Sequence, residues 1–281
     1  MGTYHAGEIA VQEHAGVRHM SARVANGIRD FVVPAAAAFL QEQVFVVGSI
    51  ADGAGDVWAV PVRGPLDMGR DDRHVRVPRN LSGAVGLVIM DFARRRRMRV
   101  NGVAENGVLA VGECYANCPQ YLQKRDGNAD ADGTFASVPE PVAQGDVLSD
   151  AQTAFVRAAD TFFIATRNGA ASADASHRGG NPGFVRVPDE RTLIWRDYSG
   201  NAMFNTLGNL ETDGRAGLFF PDFATGNALL LSGTATVVWG MPDERSVMFR
   251  VRGVTEIAAA FAPLAAIPVE YSPFNPVETG N

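Results

Sequence analysis

GLVIMDFARRRRMRVNGVA (Gly86–Ala104) and GLFFPDFATGNALLLSGTA (Gly217–Ala235) align without a gap at an offset of 131 residues. Seven of the 19 positions are identical: Gly86, Leu87, Asp91, Phe92, Ala93, Gly102 and Ala104. Each stretch reads as strand, polar turn, strand, the pattern of a β-hairpin. Upstream, VRVP occurs at Val75–Pro78 and again at Val185–Pro188. The chain therefore reads as two copies of one β-rich unit. Many short strands with Gly and Pro between them favour a small barrel over a parallel sheet, so the expected class is mainly β with short helices.

Composition sets the outer limits. The 281 residues are 46% hydrophobic and 20% charged, enough apolar material for one large domain or two ordinary ones. A net charge of -6 and a pI near 5.4 argue against nucleic acid as the main partner. The longest apolar run, Ile257 to Ile267, is interrupted by Pro263 and too short to cross a bilayer, so no membrane partner is expected. Residues 1–20 have no apolar core, and no signal peptide is expected. Two cysteines, Cys114 and Cys118, suit a reducing cytoplasm.

Each copy begins with a helix. Residues 1–30 read as a helical, partly polar lead-in, and Pro34 opens a helix at a tolerated first-turn position. Strands follow at Phe45–Ser49, Val57–Val62, His74–Pro78, Gly86–Phe92, Met98–Asn106 and Val108–Tyr115. Asp126 to Val147 is rich in Gly, Pro and Asp and reads as a linker. Beyond it Ser149 caps a helix, with Gln152 completing a capping box. Strands then recur at Phe163–Thr166, at SHRGG, at Phe184–Pro188 and at Thr192–Trp195. The expected division is residues 1–125, a linker at 126–148, and residues 149–281.

The copies differ in one place. From the proline of VRVP to the glycine opening the hairpin is 8 residues in the first copy and 29 in the second. The additional stretch contains DYSGNAMFNTLGN (Asp197–Asn209), read as a strand end followed by a short helix. Met203, Phe204, Leu207 and Leu210 fall on one helical face. Ser199, Gly200 and Asn201 would stand at the helix start, where free amides and a partial positive charge suit a phosphate. Arg178, on a neighbouring strand, would add a planar cation. A candidate phosphate site is thus expected in the second copy alone.

At SHRGGNPGF, DYSGNAMFNTLGNL and the paired GLxxxDF hairpins the chain resembles the FMN-binding split-barrel, or pyridoxamine 5'-phosphate oxidase-like, family. It is most similar to a two-barrel, flavin-nucleotide-binding branch. YHAGEIAVQEHAGV (Tyr4–Val17) resembles that branch's N-terminus, and ECYANCPQYLQ (Glu113–Gln123) the segment closing its first barrel. The resemblance implies tandem split barrels forming a pseudo-dimer, one FMN, and an oxidoreductase of unnamed substrate. A non-catalytic flavin-binding module or a haem-handling split-barrel protein is the alternative. The FMN-binding residues it implies are Ser176, His177, Arg178, Tyr198, Ser199, Asn201 and Asn205. It also implies NAD(P)H or a redox protein as partner, and pairing into a homodimer. The basic substrate-binding C-terminal motif of the vitamin-B6 oxidases has no match; EYSPFNP (Glu270–Pro276) stands there instead.

Other signals read as structural. Cys114 and Cys118 form a CxxxC followed by Pro119, which suits a turn, with a reactive Cys118 as the functional alternative. Arg94–Arg97 read as a solvated hairpin tip or a docking patch for a phosphate-bearing reductant or acidic partner. DGNADADG lacks the glycine and glutamate of a calcium loop. His5, His14 and His19 lack metal-pair spacing and read as surface histidines, so no metal site is expected.

Overall fold

The computed structural model describes residues 4–125, 141–240, 244–261 and 269–277. Three helices lead in: α1 (Ala6–His14), α2 (Arg18–Ala25) and α3 (Pro34–Glu42). The first starts on a capping box in which His5 Nδ1 accepts from the Gly7 amide and Glu8 accepts from the His5 amide. Six strands follow: β1 (Phe45–Ala51), β2 (Val57–Arg63), β3 (His74–Arg76), β4 (Gly83–Asp91), β5 (Arg96–Glu105) and β6 (Val108–Asn117). Asn106 and Gly107, at φ 54° and 84°, make the two-residue turn between β5 and β6.

The second half runs β7 (Pro141–Gly145), α4 (Asp150–Ala158), β8 (Thr161–Asn168), β9 (Ser172–Gly179), β10 (Val185–Asp189), β11 (Thr192–Arg196), α5 (Asn205–Thr212), β12 (Arg215–Pro221), β13 (Ala228–Trp239) and β14 (Arg245–Ile257). Ser149 and Gln152 form the capping box of α4.

These strands make two antiparallel sheets in a mainly β, split-barrel fold. The first has the order β2-β1-β4-β5-β6-β3; the second has β9-β8-β12-β13-β14-β11-β10, with β7 on β14. The order is the same from the outer strand to the third hairpin strand. The hairpin register is the same too: Gly86 pairs with Asn101 and Gly217 with Ser232, each 131 residues on. Even the bulge recurs, between Asn101 and Gly102 and between Ser232 and Gly233. In the second sheet β11 lies between β14 and the VRVP strand, so the additional stretch supplies one strand as well as α5.

Each sheet has its own core. One is built around Leu40, Leu87, Val100 and Leu109, the other around Phe162, Trp195, Phe220 and Phe249. A third cluster joins them: Phe45, Val88 and Met90 from the first sheet pack with Phe163, Ala175 and Phe219 from the second. Phe45 stands at its centre, with ring centroids 5.1 Å from Phe92 and 5.6 Å from Phe163. Two glycines allow the sheets to touch. A Cβ on Gly86 would lie 2.5 Å from Asp174 Cα on β9, and one on Gly217 would lie 2.5 Å from Trp58 Cα on β2.

Three readings of the sequence change. The linker reading of Asp126–Val147 fails at its C-terminal end; residues 126–140 lie outside the described residues, but Pro141–Gly145 is strand β7. The long β14 extends past β11, and β7 pairs with the edge left at Val254–Ile257. The helix expected at Ser199 begins only at Asn205, because Ala202 and Phe204 take left-handed φ of 60° and 61°, which a helix does not propagate. The surface reading of the histidines fails for His5, which is half-buried with its ring paired to Asn209 at 3.0 Å, whereas His14 is exposed and stacks on Trp239 at 3.8 Å.

Candidate functional site

Strand alternation on β9 sends Asp174, Ser176 and Arg178 to one face and His177 to the other. That first face meets β5 of the first sheet, whose own alternation presents Arg97, Arg99 and Asn101. Arg99 Nη1 donates to Asp174 Oδ1 at 2.8 Å and to Asn205 Oδ1 at 3.3 Å. Its Nη2 donates to Ser176 Oγ, which also accepts from Arg178 Nη1 at 3.1 Å. Arg178 Nη2 lies 3.5 Å from Asp197 Oδ1, and Asp197 also pairs with Arg245 at 3.3 Å. Arg97 has no carboxylate among the described residues. It donates to the Cys118 carbonyl at 2.9 Å and to His177 Nδ1 at 3.0 Å.

Three guanidiniums thus gather around two carboxylates, one of them shared. Burial, and after it Arg99 and Arg178, push Arg97 down to about 9. Burial likewise lowers Arg178. Arginine keeps its proton in such a place, and the strain shows as demand for a counter-anion. Burial works against the charge of Arg99 too, but Asp174 holds it above its ordinary value. Burial and then Arg97 hold His177 well below its ordinary value, so the ring is neutral. Because Nδ1 accepts from Arg97, the proton is assigned to Nε2.

The loop before α5 closes the cavity that these side chains line. Arg97, Arg99, Arg178, Tyr198, Ser199 and Asn201 border it, and its enclosed part is about 80 Å³, room for a phosphate-sized group rather than a whole nucleotide. It adjoins a small space bordered by Asn205 and Thr206. Several buried polar atoms facing this region have no partner: Arg99 Nε, Arg178 Nε, His177 Nε2 and Asn117 Oδ1. Native interiors rarely leave such groups unpaired, and these ask for a bound polar ligand.

The expected residues are brought together unevenly. Arg178, Tyr198, Ser199 and Asn201 line the cavity, with Tyr198 against Tyr121 at a ring distance of 5.0 Å. Ser176 is the hinge of the arginine pair. Asn205 is buried between Arg99, Tyr115 and Glu8. Asn201 Oδ1 accepts from the Met203 amide and so shapes the loop. The helical face expected of Met203 to Leu210 divides: Met203 packs on Tyr4 and Tyr115, Leu207 and Leu210 on the second core.

Arg97 and Arg99 were missed. The run Arg94–Arg97 suggested one solvated patch, yet each arginine goes its own way. Arg94 turns to Asp91, Arg95 to Glu270, Arg96 over the Phe39 ring, and Arg97 into the cavity. The signal was the alternation Arg97-Met98-Arg99-Val100-Asn101, which marks a strand with one polar face.

The hairpin correspondence shows that, among the described residues, the second half of the seam does not repeat this set of arginines. Ala228 and Leu230 stand at the positions of Arg97 and Arg99, 131 residues on. Trp58, Val60 and Val62 of β2 occupy the places of Asp174, Ser176 and Arg178, since Gly217 meets Trp58 as Gly86 meets Asp174. Apolar side chains therefore stand where the first site has its charged and polar ones.

A family model described as pyridoxamine 5'-phosphate oxidase matches residues 148–268, spanning β8 to β14 and the loop that closes the cavity. Over residues 148–268 the chain is thus similar to the pyridoxamine 5'-phosphate oxidase family. The first sheet lies outside the match, so Arg97 and Arg99 come to the cavity from outside the matched residues. Among solved structures, a protein assigned as a pyridoxamine 5'-phosphate oxidase from Lactobacillus delbrueckii is 15% identical, over 39% of this chain and 94% of that one, with a TM-score of 0.33. HupZ of Group A Streptococcus is 14% identical over 38% and 93%, at 0.31. The FAD binding protein of Mycobacterium smegmatis is 14% identical over 41% and 98%, at 0.28. No curated protein matches the chain.

Proposed function

We propose that this protein binds a flavin nucleotide, FMN, and is a flavin-dependent oxidoreductase. The observation that carries the reading is the Arg97–Arg99–Arg178 cavity, short of negative charge and bordered by Ser199, Gly200 and Asn201. The residues fit the phosphate end of the cofactor. Arg178 and Arg97 would hold its charge, Ser176 and Asp174 would keep Arg99 in place, and Tyr198 and Asn201 would wall the loop side. The bound flavin would supply the electron transfer, while the protein contributes binding and electrostatics.

In this reading residues 1–125 and 149–281 form a fused pseudo-dimer, with a single flavin at the seam. NAD(P)H or a redox protein would reduce it, in the cytoplasm. Pyridoxamine 5'-phosphate is not the substrate proposed, since EYSPFNP (Glu270–Pro276) does not match the basic C-terminal motif of the vitamin-B6 oxidases. There Glu270 pairs with Arg95, and Ser272 donates to Gln120 and Gln123.

The test is an absorbance spectrum of the purified protein, followed by titration with FMN and then NAD(P)H. A yellow protein that NAD(P)H bleaches supports the oxidoreductase. One that stays oxidised is a flavin-binding module, and one that takes up no FMN overturns the proposal.

A further inference from the structure

A second space opens beside the anion cavity, between the segment 27–39 and strands β5 and β6. Its volume is about 470 Å³, within the range of small-molecule sites. The floor is apolar: Phe31, Val33, Ala36, Phe39, Met98 and Ala116. Four arginines line it, Arg29, Arg95, Arg96 and Arg97, and no Asp or Glu does.

Only one of those arginines is neutralised. Arg95 pairs with Glu270 at 3.0 Å. Arg29 donates to the carbonyls of Asn26 and Ile28, Arg96 lies 4.9 Å over the Phe39 ring, and Arg97 binds the Cys118 carbonyl. Among the described residues none of these three has a carboxylate partner. Arg97 and Asn117 border both spaces, and Asn117 Oδ1 is buried without a donor at the junction. An apolar trough with an unpaired cationic rim is complementary to one kind of molecule.

We propose that this trough is a second ligand site, which takes a small organic acid with an apolar body. The acid's carboxylate lies at the Arg29–Arg96–Arg97 rim and its hydrocarbon or ring on Phe39, Met98 and Ala116. The trough lies outside the phosphate cavity but shares Arg97 and Asn117 with it. That such an acid is the substrate or effector of the oxidoreductase rests on the function proposed above.

The experiment is calorimetric titration of the full chain with octanoate, octanol and inorganic phosphate, with FMN binding read on the same preparation. Octanoate should bind one per chain, and octanol at least about tenfold more weakly, the loss expected when a charge-assisted contact is removed. Arg29→Gln with Arg96→Gln should weaken octanoate by a similar factor. Ala116→Trp, a substitution at an exposed strand position, should abolish it by filling the trough while leaving FMN binding and the unfolding midpoint unchanged. Octanoate bound and FMN not bound supports the trough and overturns the flavin reading. FMN bound and octanoate not bound overturns the trough alone. Equal binding of octanol, displacement of octanoate by inorganic phosphate, or undiminished binding to Ala116→Trp would each overturn it as well.

Discussion

Arg99 on β5 reaches across the seam to Asp174 on β9, Nη1 to Oδ1 at 2.8 Å, with both side chains buried. The pair belongs to neither half. It ties the hairpin of the first sheet to the outer strand of the second, and Asn101 and Thr206 bond weakly to the same carboxylate at 3.5 and 3.4 Å. Arg99 therefore both borders the cavity and takes part in a contact between the two halves.

Removing one member of such a pair leaves the other buried and uncompensated. Arg99→Met should cost about 3–5 kcal/mol in urea unfolding. Arg99→Met with Asp174→Leu should cost well below the sum of the single changes, because no charge is then stranded. Additive losses in that cycle would show that the two side chains are not coupled.

Arg178 is on the cavity wall and shares Ser176 with Arg99. Arg178→Ala should remove a charge-assisted contact to the phosphate, worth roughly 1.5–3 kcal/mol, or about 10- to 150-fold in FMN affinity. Arg97→Ala should act in the same direction. Arg63→Ala and Arg79→Ala, at exposed positions of the first half, should leave the affinity unchanged. Fluorescence titration with FMN measures all four, and equal losses throughout would rule out a single site.

Much of the fold was legible because hairpins carry local signals. The 131-residue offset recovers the register, and the strand limits around Val57, Gly86 and Val108 follow from alternation and from Asn106-Gly107. The additional stretch before the second hairpin pointed to the loop at Ser199–Asn201. What could not be read was tertiary. Nothing local says that Arg97 and Arg99 face β9 rather than water, since that depends on Gly86 admitting Asp174. Nothing local says that Pro141–Gly145 becomes a strand, since its partner edge on β14 is over a hundred residues away. The start of α5 was misplaced because Ala202 and Phe204 adopt left-handed backbone that their residue types disfavour.

Glu8 is buried on α1, where Oε1 accepts from Asn205 Nδ2 at 2.6 Å and Oε2 from the His5 amide at 2.9 Å. Burial is the main influence and pushes it up to about 8, with Glu113 and Asp174 adding to the rise. An unfolded glutamate ionises near pH 4.3, so the folded state holds the proton more tightly. The stability this contributes is complete below about pH 4.3 and is lost as pH rises through about 8. Glu8→Gln keeps the shape and removes the titration. Its unfolding midpoint should fall less than that of the unsubstituted protein between pH 5 and 8, and parallel midpoint curves would refute the assignment.

The last prediction concerns the two glycines at the seam. A Cβ on Gly86 would lie 2.5 Å from Asp174 Cα, 2.7 Å from the Ala173 carbonyl and 2.8 Å from the Ala175 amide. One on Gly217 would lie 2.5 Å from both Trp58 Cα and the Val57 carbonyl. All of these are backbone atoms, so neither clash is relieved by turning a side chain. Gly86→Ala and Gly217→Ala should each destabilise the protein by at least the 1–3 kcal/mol typical of overpacking, at about 25 °C in urea. Gly53→Ala, with open space around it, should be neutral. The two seam variants should then part company in ligand binding. Gly86→Ala pushes on β9 at Asp174 and should displace Arg99 and Ser176, with FMN affinity falling along with stability. Gly217→Ala pushes on β2 at Trp58, on the apolar side of the seam, and should spare FMN affinity once unfolded protein is accounted for. Equal loss of FMN binding in both would mean that the cavity depends on the seam as a whole and not on the placement of β9.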